Sequence, residues 1–138
     1  MNPPPLVTDN ISELLIKVVE FTEHRQKVLI ENVKGIHSPD FVPEDLAVEE
    51  FSKVLTYAVN EHAQSQRLVF HDTENIKFGA AGRFKVKPTV DEYARELLET
   101  DKDEYLELQI AKLLENSLNR SVAAKMLRQR QKTLLIFE

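Results

Sequence analysis

The chain is predicted to be mainly α-helical, with long N- and C-terminal helices pairing in a coiled-coil-like seam and a loosely structured or small β-hairpin middle segment. Three observations predict it. Apolar residues recur at helical spacing from Ile11 to Ile36 and again from Leu106 to Val122. Helix-starting and helix-stopping residues bracket those runs. Between them, roughly over residues 64–90, the helical period gives way to short alternating runs and two glycines three positions apart.

The elements follow in order within one elongated domain spanning 1–138. Residues 1–9 begin Met-Asn-Pro-Pro-Pro, a mobile lead that starts neither helix nor strand. Residues 10–63 hold the N-terminal helices, with a bend at 35–42. In the first helix Ile11, Leu14, Leu15, Val18, Thr22, Arg25, Leu29, Val33 and Ile36 share one face. Asp9 or Asn10 is placed to cap it, and Gly35 to end it through a left-handed C-cap. Ser38 precedes Pro39 and is therefore driven to an extended conformation, while Phe41 anchors the turned chain. A second helix is expected from Pro43, with Glu44 and Asp45 in its first turn and Ala47, Phe51, Val54, Leu55, Ala58 and His62 along its buried stripe. Residues 64–90 form a loop or a hairpin around Gly79-Ala80-Ala81-Gly82. Two short strands are marginal by themselves, which favours the loop. Residues 91–136 are the C-terminal helix, starting at Asp91 or Asp101. Leu106, Ile110, Leu113, Leu114, Leu118 and Val122 give it an apolar face about half its circumference wide. Such a face calls for more than one neighbour.

Composition restricts function. The 138 residues are 30% charged with a formal net charge of -5, pI is near 5.4 and mean hydropathy is -0.34. Acidity gives no overall attraction to nucleic acid or anionic lipid. Without cysteine there is neither disulfide nor thiolate metal site. No window is apolar enough to span a membrane, and the N-terminus lacks the pattern of a cleaved secretory signal.

No enzyme is expected. His24, His37, His62 and His71 never take the spacing that sets two imidazoles on one helical face, so no metal and no cofactor are implied. The eight acids between Asp91 and Glu107 match a solvated helix start. Arg120, Lys125, Arg128, Arg130 and Lys132 meet no acid before Glu138. Basic residues at the end of a helix complement its dipole, and no aromatic is interleaved to stack bases. Thr22, Arg25 and Asn32 share the face of Leu15, Val18 and Leu29. Either that end of the helix faces solvent, or these groups are satisfied across a helix–helix seam, where a buried polar residue fixes register.

The stretch Arg25 to Phe41, RQKVLIENVKGIHSPDF, resembles the N-terminal signature of the flagellar basal-body rod proteins, Leu-Ala-x-Asn-Ile-Ala-Asn-x-x-Thr-Pro-Gly-Tyr preceded by an arginine. Arg25, Leu29, Asn32, Val33, Ser38, Pro39 and Phe41 fall in register with it. EDLAVEEFSKVL follows as that family's next helix does. ELQIAKLLENSLNRS is similar to the C-terminal segment of the proximal rod type, matching at Leu113, Glu115, Asn116 and Leu118. The pattern departs at Gly35, Asp40 and Arg120. The resemblance covers just under half of the chain, and the short length fits the proximal type. It implies a structural rod subunit of the bacterial flagellum, required for motility. Such a subunit is exported by the type III apparatus to the periplasm without a cleaved signal. Its partners would be other rod proteins, basal-body ring and adaptor components, and further copies in a helical assembly. The assembly interface it implies comprises Arg25, Leu29, Asn32, Gly35, Ser38, Pro39, Phe41, Leu113, Asn116 and Leu118. A helical adaptor or dimerisation module would carry the same stripes. A small nucleic-acid-binding helical protein is a further alternative.

Overall fold

The computed structural model describes residues 9–79 and 83–136. The proline-rich lead, residues 80–82 of the expected hairpin tip and the last two residues lie outside the described residues. Four helices dominate: α1 (Asn10–Lys34), α2 (Val48–Ser65), α3 (Glu92–Thr100) and α4 (Lys102–Ile136). Asp9 caps α1, its Oδ1 accepting from the Ser12 N–H at 2.9 Å. Both expected starts of the last helix are used. Asp91 Oδ1 accepts from the Ala94 N–H at 3.0 Å and Asp101 Oδ1 from the Glu104 N–H at 3.1 Å. Each aspartate satisfies an amide that a helix start leaves unpaired. Extended backbone at Asp101 therefore divides the expected single helix into α3 and α4.

The second helix begins five residues later than Pro43. Glu44–Asp45 is instead a short strand, β1, antiparallel to β4 (Thr89–Val90), with Glu44 opposite Val90 and Asp45 opposite Thr89. Its stripe is as expected at Phe51, Val54 and Ala58, all buried. The middle segment takes the hairpin form: β2 (Ile76–Lys77) pairs antiparallel with β3 (Lys85–Val86). Two-residue strands are too short to stand alone, and aromatic packing supplies the rest. Phe70 stacks on Phe78 at 4.7 Å, Phe78 lies 5.3 Å from Phe84, and Phe51 of α2 stacks on Phe21 of α1 at 4.0 Å between centroids. With Leu46, Val54 and Ile76 these rings form the main apolar core, which binds α2 and the hairpin to one side of α1. The hairpin residues Phe78 and Phe84 thus belong to the core.

On its other side α1 packs along α4, antiparallel. Asp9 meets Arg130, Thr22 meets Asn116 and Asn32 meets Gln109, so positions rise on one helix as they fall on the other. The packed positions of α1, Leu15, Val18, Thr22, Arg25, Leu29 and Asn32, alternate steps of three and four. This is the spacing of a left-handed coiled-coil seam.

The bend has a different cause from the expected left-handed cap. Gly35 has φ -81° and ψ 0°, ordinary right-handed geometry, and α1 tightens into a 3-10 turn at Gly35–His37. The glycine is needed for space, because a Cβ at Gly35 would lie 2.4 Å from Cγ and Cδ2 of Phe41. Phe41 is thus anchored flat on the glycine backbone. Ser38 is extended, ψ 124°, as its place before proline requires.

Gly35→Ala is accordingly expected to destabilise the fold by about 1–3 kcal/mol in urea denaturation, through overpacking. Were the glycine needed only to stop the helix, alanine at this φ would stabilise by about 0.4–1 kcal/mol. Phe41→Leu in the alanine background should recover part of the loss.

Candidate functional site

The α1–α4 seam is built largely from polar side chains that are buried and satisfied. Arg25 is only 5% exposed and forks onto Asp45, Nε to Oδ1 at 2.9 Å and Nη2 to Oδ2 at 3.1 Å. Lys112 of α4 donates to Asp45 Oδ2 at 2.8 Å and to Asp91 Oδ2 at 2.7 Å. Glu115 Oε1 stands 3.7 Å from Arg25 Nη1. A chain of alternating charge, Arg25, Asp45, Lys112, Asp91, therefore joins α1, β1, α4 and the start of α3. Burial pushes the Asp45 carboxyl upward, but hydrogen bonds and charge from Arg25 and Lys112 outweigh it and hold Asp45 below its ordinary value. Burial likewise lowers Lys112, and Asp45 and Asp91 reverse this to leave it raised.

Asn32 is the second junction. Its Nδ2 donates to the Glu44 carbonyl at 2.7 Å and to Gln109 Oε1 at 2.9 Å, and its Oδ1 accepts the Glu44 N–H at 3.1 Å. The side chain thus mimics a neighbouring strand to β1 while reaching α4. Its own carbonyl, in the last turn of α1 where helical partners run out, accepts the Tyr105 hydroxyl at 2.9 Å. Burial, then the Asp91 charge, pushes the Tyr105 hydroxyl up to about 12, so it stays a neutral donor. Gln109 Nε2 is buried with no partner among the described residues. Turning the amide over would set two NH2 groups against each other, so the present orientation is the better one.

Further along, Asn116 is 1% exposed and donates to the Thr22 carbonyl at 2.8 Å. Thr22 turns its hydroxyl back to the Val18 and Val19 carbonyls, both at 2.9 Å. At the far end Arg130 Nε reaches Asp9 Oδ2 at 2.9 Å, and Arg120 Nη2 reaches Glu23 at 2.9 Å. Two of the five basic residues of the C-terminal run thus face acids on α1. Comparison with protein-family models, with curated proteins and with solved structures finds no match to this chain.

The expected interface residues divide into groups. Arg25, Leu29, Asn32 and Asn116 come together in the seam, which decides the question of the polar face in favour of buried pairing. Gly35 and Phe41 pack on each other at the bend. Ser38 and Pro39 are exposed beside them, and Leu113 is half-buried. The apolar face expected of the C-terminal helix is not the side that packs on α1: Ile110, Leu114, Leu118 and Val122 are 46%, 67%, 64% and 50% exposed. Leu118 and Val122 instead line one side of a groove of about 540 Å³ facing Leu15, Val18, Phe51 and Leu55. The inward stripe of α4 is Tyr105, Gln109, Lys112, Asn116 and Ala123. Apolar periodicity does not mark this stripe, and it marks Asp45 and Asp91 only as helix-start residues. The available signal was the 4-3-4-7 spacing of that stripe, which keeps its residues on one face of the helix.

The charge network sets a pH window. Asp45 has a depressed folded pKa, so its contribution is fully present above the unfolded value of 3.8 and is lost as pH falls through the folded value. Lys112 is raised, so its contribution is present below 10.5 and is lost as pH rises through its folded value. Asp9, held at about 2 chiefly by the Arg130 hydrogen bond, adds to the acid limb. Unfolding free energy is expected to be flat near neutrality and to fall below about pH 4, with a shallower acid limb in Asp45→Asn. An unchanged limb in that variant would remove Asp45 from the account.

Proposed function

We propose that the chain is a structural subunit of the bacterial flagellar basal-body rod, of the proximal type, working in the periplasm after export. The observation that carries the reading is that the two separated segments resembling the rod family meet in space. Arg25 and Asn32, from the first, and Glu115 and Asn116, from the second, line the same α1–α4 seam. Residues that match a family far apart in sequence and touch in the fold support a shared terminal-helix architecture.

The exposed side of α4 supplies a means of assembly. Because the seam is filled by polar groups, Ile110, Leu114, Leu118, Val122 and Met126 stay largely exposed as a ridge of four-residue steps, the last three also bordering the groove against α1 and α2. Such ridges pack into the grooves of neighbouring helices. Repeated contacts between unlike surfaces build a helical tube. In this role the chain performs no catalysis and needs no cofactor, and its partners are other rod subunits with the ring and adaptor components around them. No described helix is long and apolar enough to cross a membrane.

A helical adaptor or dimerisation module is the second reading, favoured by the closure of the seam and the aromatic core within one chain. Deletion and complementation in the source bacterium separate the two. The rod reading expects non-motile cells lacking assembled rods, restored by the wild-type gene but not by Leu118→Asp, whose purified product keeps the helix content of the wild-type chain because the position is exposed on α4. Motile deletion cells would refute the rod reading and leave the adaptor.

A further inference from the structure

The exposed ridge of α4 has a symmetry that names its occupant. Ile110, Leu114, Leu118, Val122 and Met126 are spaced evenly about Leu118, each between 46% and 67% exposed. Turned end for end about Leu118, the ridge maps onto itself, Leu114 onto Val122 and Ile110 onto Met126. The charges of α4 are segregated about the same point. Apart from Lys112, Glu115, Arg120 and Arg130, which pair within the chain, its first half carries three acids (Asp103, Glu104, Glu107) against Lys102, and its second half three bases (Lys125, Arg128, Lys132) and no acid. A parallel copy would set like charges together, whereas an antiparallel copy sets the acidic half against the basic half.

We propose that, before it enters any larger assembly, the free chain pairs with a second copy through this ridge as an antiparallel two-fold dimer centred on Leu118. A two-fold contact is closed, since each copy uses the same patch and none is left over for a third. The dimer thereby covers the surface that the rod reading uses for open assembly. The inference concerns the same ridge but does not require that reading, since an adaptor would dimerise in the same way.

The chain has no cysteine, so single introduced cysteines report contacts unambiguously. Sedimentation velocity of the purified wild-type chain should show a monomer–dimer equilibrium that shifts toward monomer with salt. Leu118→Glu should weaken it at least tenfold with unchanged circular dichroism. With a short bismaleimide, Leu118→Cys should link to itself, and Leu114→Cys should link to Val122→Cys in a mixture but not to itself. A monomer at every concentration, self-linking of Leu114→Cys in a parallel contact, or growth beyond dimers would each overturn the proposal. None of these outcomes decides the rod reading, which stands or falls on the motility of the deletion strain.

Discussion

The arrangement of the chain depends on one carboxylate. Asp45 receives the Arg25 fork from α1 and the Lys112 ammonium from α4, and its Oδ1 also accepts the Leu46 N–H at 2.7 Å. Through Lys112 it is tied to Asp91, which caps α3 and whose N–H bonds the Pro43 carbonyl at 3.0 Å. The start of α2 follows directly at Val48. One residue in a two-residue strand thus links α1, α4 and the start of α3, while the aromatic core holds α2. Arg25 is the buried member, and removing Asp45 leaves its charge without compensation, which costs about 3–5 kcal/mol for a fully buried pair and less where the partner is half-buried. The late start of the second helix follows from the same commitment.

A polar seam has consequences that an apolar one lacks. Apolar side chains tolerate sliding by a turn, whereas the hydrogen bonds of Asn32 to Gln109 and Asn116 to Thr22 are made in one register only. The antiparallel direction and the alignment of α1 with α4 are therefore specified by pairing, while the aromatic core on the opposite side of α1 supplies most of the hydrophobic burial. The division of labour also explains why apolar residues stay outside. Where the inward stripe of α4 is Tyr105, Gln109, Lys112 and Asn116, Leu114 and Leu118 beside it stay exposed, Leu118 at the rim of the groove against α1 and α2.

Much of the architecture was legible in the sequence: the terminal helices, their pairing, the start of the first at Asp9, Asp91 and Asp101 as alternative starts of the last, and the extended residue before Pro39. These are local or periodic signals. What escaped was set by contacts distant in sequence. The role of Gly35 depends on a ring six residues later lying over it, and the hairpin on phenylalanines of α1 and α2. The inward face of α4 was misassigned because periodicity ranks positions by hydrophobicity, and here the buried positions are hydrophilic. Arg25 and Asn32 stood out as polar residues on an apolar face, but their partners Asp45, Lys112 and Gln109 carry no mark of burial in a single sequence.

The account rests on the claim that α4 is held by its polar stripe and not by its leucines. Urea denaturation of Asn116→Ala beside Leu118→Ala, two positions apart on one helix, tests it most directly. The account predicts a loss of about 1–3 kcal/mol for Asn116→Ala, from a buried side chain and its hydrogen bond. For Leu118→Ala in the monomer it predicts a change within about 0.5 kcal/mol, as at an ordinary surface site. A loss of about 2–5 kcal/mol for Leu118→Ala, with Asn116→Ala nearly silent, would contradict it.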